Sequence, residues 1–218
     1  MDPLEAKGGP APNLNVGLRN LHKVVLGDRN QRLLELSSAT AGGSVVWRNR
    51  KLAEARDLLA LAEIAPPGRM WVQSLDLQVD LHAIVLIRCP VPLRPDATGA
   101  LVLADRAVLG IVYPEAAIQR PLPGYAFVQV LSPQGIFHPN VAVELGQPVC
   151  LGPQLPRSIR VKELVLLTYS ALALQAVTID EWDPAGVLNI EACRFWQAHL
   201  YRVPLSSTPF LCEDAKTK

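Results

Sequence analysis

The chain has 218 residues, half of them apolar, and its 21 basic and 20 acidic side chains leave a formal charge of +1. That length suits one well-cored domain with an appendage, or two small domains. A balance so close to neutral, with no long basic run, excludes the electrostatic footprint of a nucleic-acid binder.

Residues 1 to 12 mix Pro, Gly and Ala with a few charges and are expected to be disordered. Leu14, Leu18, Leu21 and Val25 then recur at helical spacing. Asp28-Arg29-Asn30-Gln31 has capping-box spacing for a second helix carrying Leu33, Leu34 and Leu36. Ser37 to Ser44, with Gly42-Gly43, reads as a linker, so residues 1-44 form an N-terminal helical extension.

From Trp47 to Ile64 an amphipathic helix is expected. Leu52, Ala55, Leu59 and Ala62 share one face, while Arg48, Arg50, Glu54, Arg56 and Asp57 are placed toward water. Pro66-Pro67-Gly68 stops it. The basic first turn, Arg48, Arg50 and Lys51, runs against the dipole preference for acids at that end. Those cations read either as a solvated face or as a docking surface for an acidic partner.

Five β-type segments follow, at Trp71 to Gln78, His82 to Arg88, Leu101 to Leu103, Ala107 to Val112 and Tyr125 to Leu131. Local joins punctuated by prolines predict an antiparallel meander of four to five strands. Turn-rich sequence comes next, with His138-Pro139-Asn140, Gly146-Gln147-Pro148 and Cys150-Leu151-Gly152. Ser158 is the expected N-cap of a helix from Ile159 to about Val177 that is apolar around most of its circumference. With Lys162, Glu163 and Gln175 inside it, this segment falls short of the roughly 20 apolar residues of a membrane span. A last helix, Asn189 to about Tyr201, carries Ile190, Cys193, Trp196 and Leu200. The order predicts an α+β domain over 45-203 with a tail at 204-218.

Cys89, Cys150, Cys193 and Cys212 form no Cys-x-x-Cys pair and no signal peptide opens the chain. Thiols in a reducing cytoplasm are therefore expected rather than disulfides. His22, His82 and His199 lack ligand partners at local spacing, so no metal is expected.

His138-Pro139-Asn140 followed by Gly146 and Cys150-Leu151 closely resembles the ubiquitin-conjugating enzyme family. The resemblance covers roughly Trp47 to Leu200. It takes in Tyr113-Pro114 with Pro121 and Pro123 ahead of the motif, and Asp183-Pro184, Leu188-Asn189 and Glu191-Ala192 after it. The Cys-Leu-Gly variant, the short return to the next helix and a composition of fifteen Arg against six Lys are similar to compact bacterial members. Those are encoded with ubiquitin-like proteins, activating enzymes and deubiquitinase-like peptidases, in some cases for anti-phage defence. Two departures stand out. Cys150 lies ten residues after Asn140 where eight is commoner, and of the family's Trp-x-Pro only Pro156 remains.

The resemblance implies the ubiquitin-conjugating fold and a carrier reaction. Cys150 would accept a ubiquitin-like protein as a thioester from an activating enzyme, which consumes the ATP, and pass it to a lysine of a protein substrate. The carrier itself needs no cofactor. A thiol suits both steps, being a strong nucleophile as thiolate and later a good leaving group. Asn140 either stabilises the oxyanion or holds the loop. His138 reads as structural more than as a general base, with Pro139 supporting it. Asp183 would orient the incoming lysine, with Asp180 and Glu181 as substitutes. Cys89 and Cys193 read as inert buried thiols, and Cys212 as an exposed tail thiol. The competing readings are an inactive scaffold that keeps the fold, and a cysteine protease pairing Cys150 with His138.

Overall fold

A computed structural model describes residues 20–96, 100–182 and 186–211. The expected disordered start, the Leu14 and Leu18 turns, Asp183-Pro184 and Cys212 lie outside them. The long helix α2 (Val45–Ile64) is the hub. Ser44 caps it, its hydroxyl oxygen accepting from the Trp47 amide at 3.2 Å. Three neighbours pack on α2: strand β1 (Met70–Asp76), helix α4 (Val161–Leu172) and the extension, in which a short turn at Leu21–Lys23 precedes helix α1 (Asp28–Ala39). With three sides occupied, Leu58, Leu59, Ala60 and Leu61 are all fully buried, and the one-faced helix expected from the sequence becomes a mostly enclosed one.

This enclosure corrects two expectations. Glu54 does not face water but is fully buried. Its carboxylate lies 2.9 Å from Arg50 and 2.6 Å from Arg160 and accepts the Val161 amide at 2.8 Å. Glu54 thereby satisfies an orphan donor at the start of α4. Burial pushes its carboxyl above the usual range, while the Val161 amide, Arg160 and Arg50 pull it back. Lys51, expected on a partner-binding surface, is fully buried as well. Its ammonium donates to the carbonyls of Leu77, Gln78 and Val79, closing the β1–β2 turn from inside. Arg50 is partly engaged too, donating to the Tyr113 hydroxyl at 3.2 Å and the Ser158 carbonyl at 3.0 Å. Of the three basic residues, only Arg48 stays exposed.

Strands β1, β2 (Leu81–Ile87), β5 (Ala107–Tyr113) and β6 (Val128–Ser132) form an antiparallel sheet in the order β1-β2-β5-β6. Strict alternation in β2 and β5 sends Ala83, Val85, Leu109 and Ile111 into the core. Between β2 and β5 a separate hairpin pairs β3 (Val91–Leu93) with β4 (Val102–Ala104). β3 was hidden in the sequence by Pro92, which is tolerated because this ladder is short and two-stranded. Outside β1, α1 sets Arg29 Nη2 on the Val72 carbonyl at 2.8 Å and Ser37 Oγ on the Leu75 carbonyl at 3.1 Å.

The extension differs in detail from its expected form. Gly27, not Asp28, caps α1, and the Gly27 amide donates to Glu63 at 2.9 Å. α1 runs on to Ala39, so the supposed linker shrinks, and Ser37 is buried. Leu21 and Leu26 join the same apolar core as the sheet.

After β5 a one-turn helix α3 (Ala116–Gln119) leads toward β6. α4 begins later than expected, with Arg160 at its cap, where Glu163 accepts the Arg160 amide at 2.9 Å and donates its own amide to the Arg160 carbonyl at 3.0 Å. It also ends early, at Leu172, and Leu174 adopts a left-handed φ of 55° just beyond. Helix α5 (Ile190–Ala198) is capped by Asn189 and buries Cys193 and Trp196, whereas Ile190 and Leu200 face solvent. The tail folds back on α4: Tyr169 donates to the Thr208 carbonyl at 2.8 Å, and Phe210 packs edge-on against its ring. Among the described residues no helix is long and apolar enough to cross a membrane.

Candidate active site

The segment 147–150 forms a short extra strand between β6 and residues 140–142. On one side the Val149 amide donates to Val128 O at 2.9 Å and the Val130 amide to Gln147 O at 3.1 Å. On the other, Cys150 N donates to Asn140 O at 2.8 Å and Ala142 N to Pro148 O at 3.0 Å. The long spacing between Asn140 and Cys150 is therefore folded out into a tip where Val143 and Leu145 are exposed. The two residues remain direct backbone neighbours.

Cys150 is 6% exposed, and its thiol donates to the Gly152 carbonyl at 3.4 Å. That carbonyl also accepts the Gly124 amide at 3.1 Å. A Cβ on Gly124 would lie 2.2 Å from the Gly152 oxygen, so only glycine lets the two loops meet. Leu151 and Gly152 after it are half-buried, and Pro153 and Gln154 are exposed.

The three motif residues act as a clasp. Asn140 N donates to His138 Nδ1 at 3.0 Å, which leaves the hydrogen on Nε2 to donate to Ala171 O at 2.8 Å. Pro139 O accepts the amides of Leu188 and Asn189 at 2.7 and 3.0 Å. The Asn140 side chain is committed to backbone: Nδ2 donates to Thr178 O at 3.3 Å and Gly186 O at 2.5 Å, and Oδ1 accepts Thr178 N at 3.2 Å. Both amide hydrogens hold the segment that leads from α4 to α5. Of the two roles open in the sequence, this geometry favours loop holding. Asp183 lies outside the described residues, in the stretch that Thr178 and Gly186 bracket. Asp180 accepts the Trp182 amide at 3.0 Å and Glu181 pairs with Arg194 at 2.8 Å.

His138 is wholly buried and its pKa falls to about 4, because burial disfavours the imidazolium despite the Ala171 carbonyl. Protonating Nδ1 would also break the bond from Asn140 N. A depressed folded pKa contributes stability that is whole above about pH 6.5 and is lost as pH falls toward about 4, in total about 3 kcal/mol. His138→Gln is expected to remove this pH-dependent component. Urea unfolding of both proteins from pH 7 to pH 4 checks it, and parallel pH curves would refute it. A neutral imidazole with both nitrogens bonded to backbone also offers no base to Cys150, against the protease reading.

Two other thiols are chemically quiet. Burial pushes Cys89 up to about 12 and, with Glu181 and Asp180 adding to the effect, raises Cys193. Tyr113 is a packing residue, fully buried, with its hydroxyl donating to Ile159 O at 2.7 Å. Among the described residues no group of His, Cys, Asp and Glu is arranged to hold a metal.

One site residue escaped sequence reasoning. Gln147 is 3% exposed and at a left-handed φ of 44°, with its side-chain amide bonded to three backbone groups. Between Gly146 and Pro148 a polar residue reads as an ordinary turn, and no signal in the sequence marks it as buried.

No protein-family model, no curated protein and no solved structure matches the chain.

Proposed function

We propose that the chain carries a ubiquitin-like protein as a thioester on Cys150. The observation that supports this best is the order of parts around one thiol. A helix and a four-stranded antiparallel meander lead into the His138-Pro139-Asn140 clasp, whose Asn140 carbonyl holds the Cys150 amide at 2.8 Å. In the first step the Cys150 thiolate attacks the modifier's C-terminal carbonyl, held as a thioester on an activating enzyme, and the enzyme's thiolate leaves. In the second a lysine amine attacks the new thioester, loses its proton and expels the Cys150 thiolate. Asp183 is proposed to receive or orient the lysine. Arg48 is the remaining member of the proposed basic docking surface. Dependence on ATP-charged partners fits a cytoplasmic setting, and the bacterial pathway stays part of this proposal.

The second reading, a fold kept as a binding module, is favoured by the 6% exposure of Cys150 and by the committed Asn140 amide. One assay separates the two. The protein is mixed with the activating enzyme, ubiquitin-like protein and ATP and run on a non-reducing gel. The carrier gives a thiol-sensitive adduct that Cys150→Ala abolishes and Cys89→Ala retains. Absence of any adduct with an activating enzyme that charges itself would leave the binding module standing.

A further inference from the structure

We propose that Gln147 is a positioning residue that sets the strand register of Cys150. The consequence for group transfer rests on the carrier reading above, whereas the geometry does not. Gln147 sits three residues before the thiol, where the chain turns back from the exposed tip into the extra strand. Its Nε2 donates to Val130 O at 3.0 Å and to Pro133 O at 2.7 Å, and its Oε1 accepts Ile136 N at 2.9 Å. Its own backbone carbonyl accepts Val130 N at 3.1 Å and its amide donates to Glu144 O at 3.0 Å. One side chain thus ties together the end of β6, the connector after it and the entry to the motif. Both hydrogens and the oxygen of the amide are used, in a buried place.

Register is the quantity at stake. Side chains alternate along a strand, so a one-residue slip would turn Cys150 from its present face to the opposite one. The turn that would absorb such a slip consists of Gly146 at φ 86° and Gln147 at φ 44°. Within the turn, this left-handed pair is held by one bond, from Gln147 N to Glu144 O. The segment it feeds is short, pairing with β6 and with residues 140–142 only between 147 and 150. The amide of Gln147 supplies the missing constraint by binding three groups at fixed places on the sheet side. Cys150 then returns to the Asn140 carbonyl despite the lengthened loop.

The test uses the full chain and reads the thiols separately. Iodoacetamide labelling followed by peptide mass spectrometry gives rates for Cys150, Cys89 and Cys193 in the wild type, Gln147→Ala, Gln147→Glu and Gln147→Gly. Leu164→Ala, a buried core substitution, serves as a control for global destabilisation. Gln147→Glu keeps the acceptor for Ile136 but sets a carboxylate against the Val130 and Pro133 carbonyls, so Gln147→Gly serves if the alanine variant folds poorly. Gln147→Gly keeps the left-handed turn easy and removes only the side chain.

In all three Gln147 variants Cys150 labelling should change by about fivefold or more relative to Cys89 and Cys193, as local release does without global opening. In the control the three thiols should move together. Where the adduct assay works, charging of Cys150 should fall by about tenfold or more through kcat, since small misplacements of a reacting group are costly. Equal changes at all three thiols in the Gln147 variants would overturn the proposal. So would wild-type labelling and charging in Gln147→Gly. Selective labelling changes in a chain that never forms the adduct would uphold the register claim and sink the carrier reading.

Discussion

Lys51→Ala is expected to lower the unfolding free energy by about 2–4 kcal/mol, for the loss of charge-assisted hydrogen bonds and of buried methylene packing. The ammonium is fully buried and donates to three successive carbonyls, Leu77, Gln78 and Val79, where the chain turns from β1 to β2. In the variant each carbonyl would keep one donor, Trp47 Nε1 on Val79 O at 3.0 Å and the Gly42 amide on Leu77 O and Gln78 O at 3.2 and 3.1 Å. Asp80, Asp76 and Glu115 favour the charge, while burial opposes it and pulls the pKa below the ordinary lysine range. Arg48→Ala, one turn away and exposed, is expected to change stability by no more than about 0.5 kcal/mol. Denaturant unfolding of the two variants side by side gives the answer. A loss below about 1 kcal/mol for Lys51→Ala would mean that water replaces the ammonium without strain.

Asn140→Ala is expected to cost about 3–4 kcal/mol and to impair charging and discharge together. It removes three bonds at once, to Thr178 N, Thr178 O and Gly186 O, and frees the segment that runs from α4 to α5. The cleanest measurement is hydrogen exchange at the Thr178 amide, which donates to Asn140 Oδ1 and should lose its protection in the variant. Asn140→Asp keeps that acceptor but sets a carboxylate against two carbonyl oxygens, so it should protect Thr178 partly and still destabilise. If Thr178 stays protected in Asn140→Ala while only discharge to lysine slows, the amide acts on the reacting thioester and the holding role is wrong.

The parts of the fold that were legible in the sequence are those in which burial alternates or repeats locally. Ala83, Val85 and Ile87 in β2, or Leu164, Val165 and Leu172 in α4, announce their elements because each faces a continuous core. The failures share a cause that local periodicity cannot carry. Lys51 and Glu54 share a helical face with Trp47 and Leu58, but their charge reads as solvated, and they are buried because the β1–β2 turn and the start of α4 arrive from distant sequence to cover them. Ser158 looked like a cap, but the start of α4 is determined by Glu54 of another helix and by Glu163. In the site, Cys150 and the motif stood out by spacing. The partners that fix them, Ala171, Thr178, Gly186 and Leu188, act through backbone groups, which every residue has and no sequence pattern marks.

Strand β1 lies at the border of the sheet, where outward carbonyls normally await a partner. Two of its carbonyls already have one, since Arg29 and Ser37 of α1 donate to Val72 and Leu75. At the opposite border the 147–149 segment occupies β6 in the same way. The helix ahead of residue 45 therefore does more than add to the core. It acts as a stopper against strand addition at β1, and a second molecule could extend that border of the sheet only by first prying the helix away.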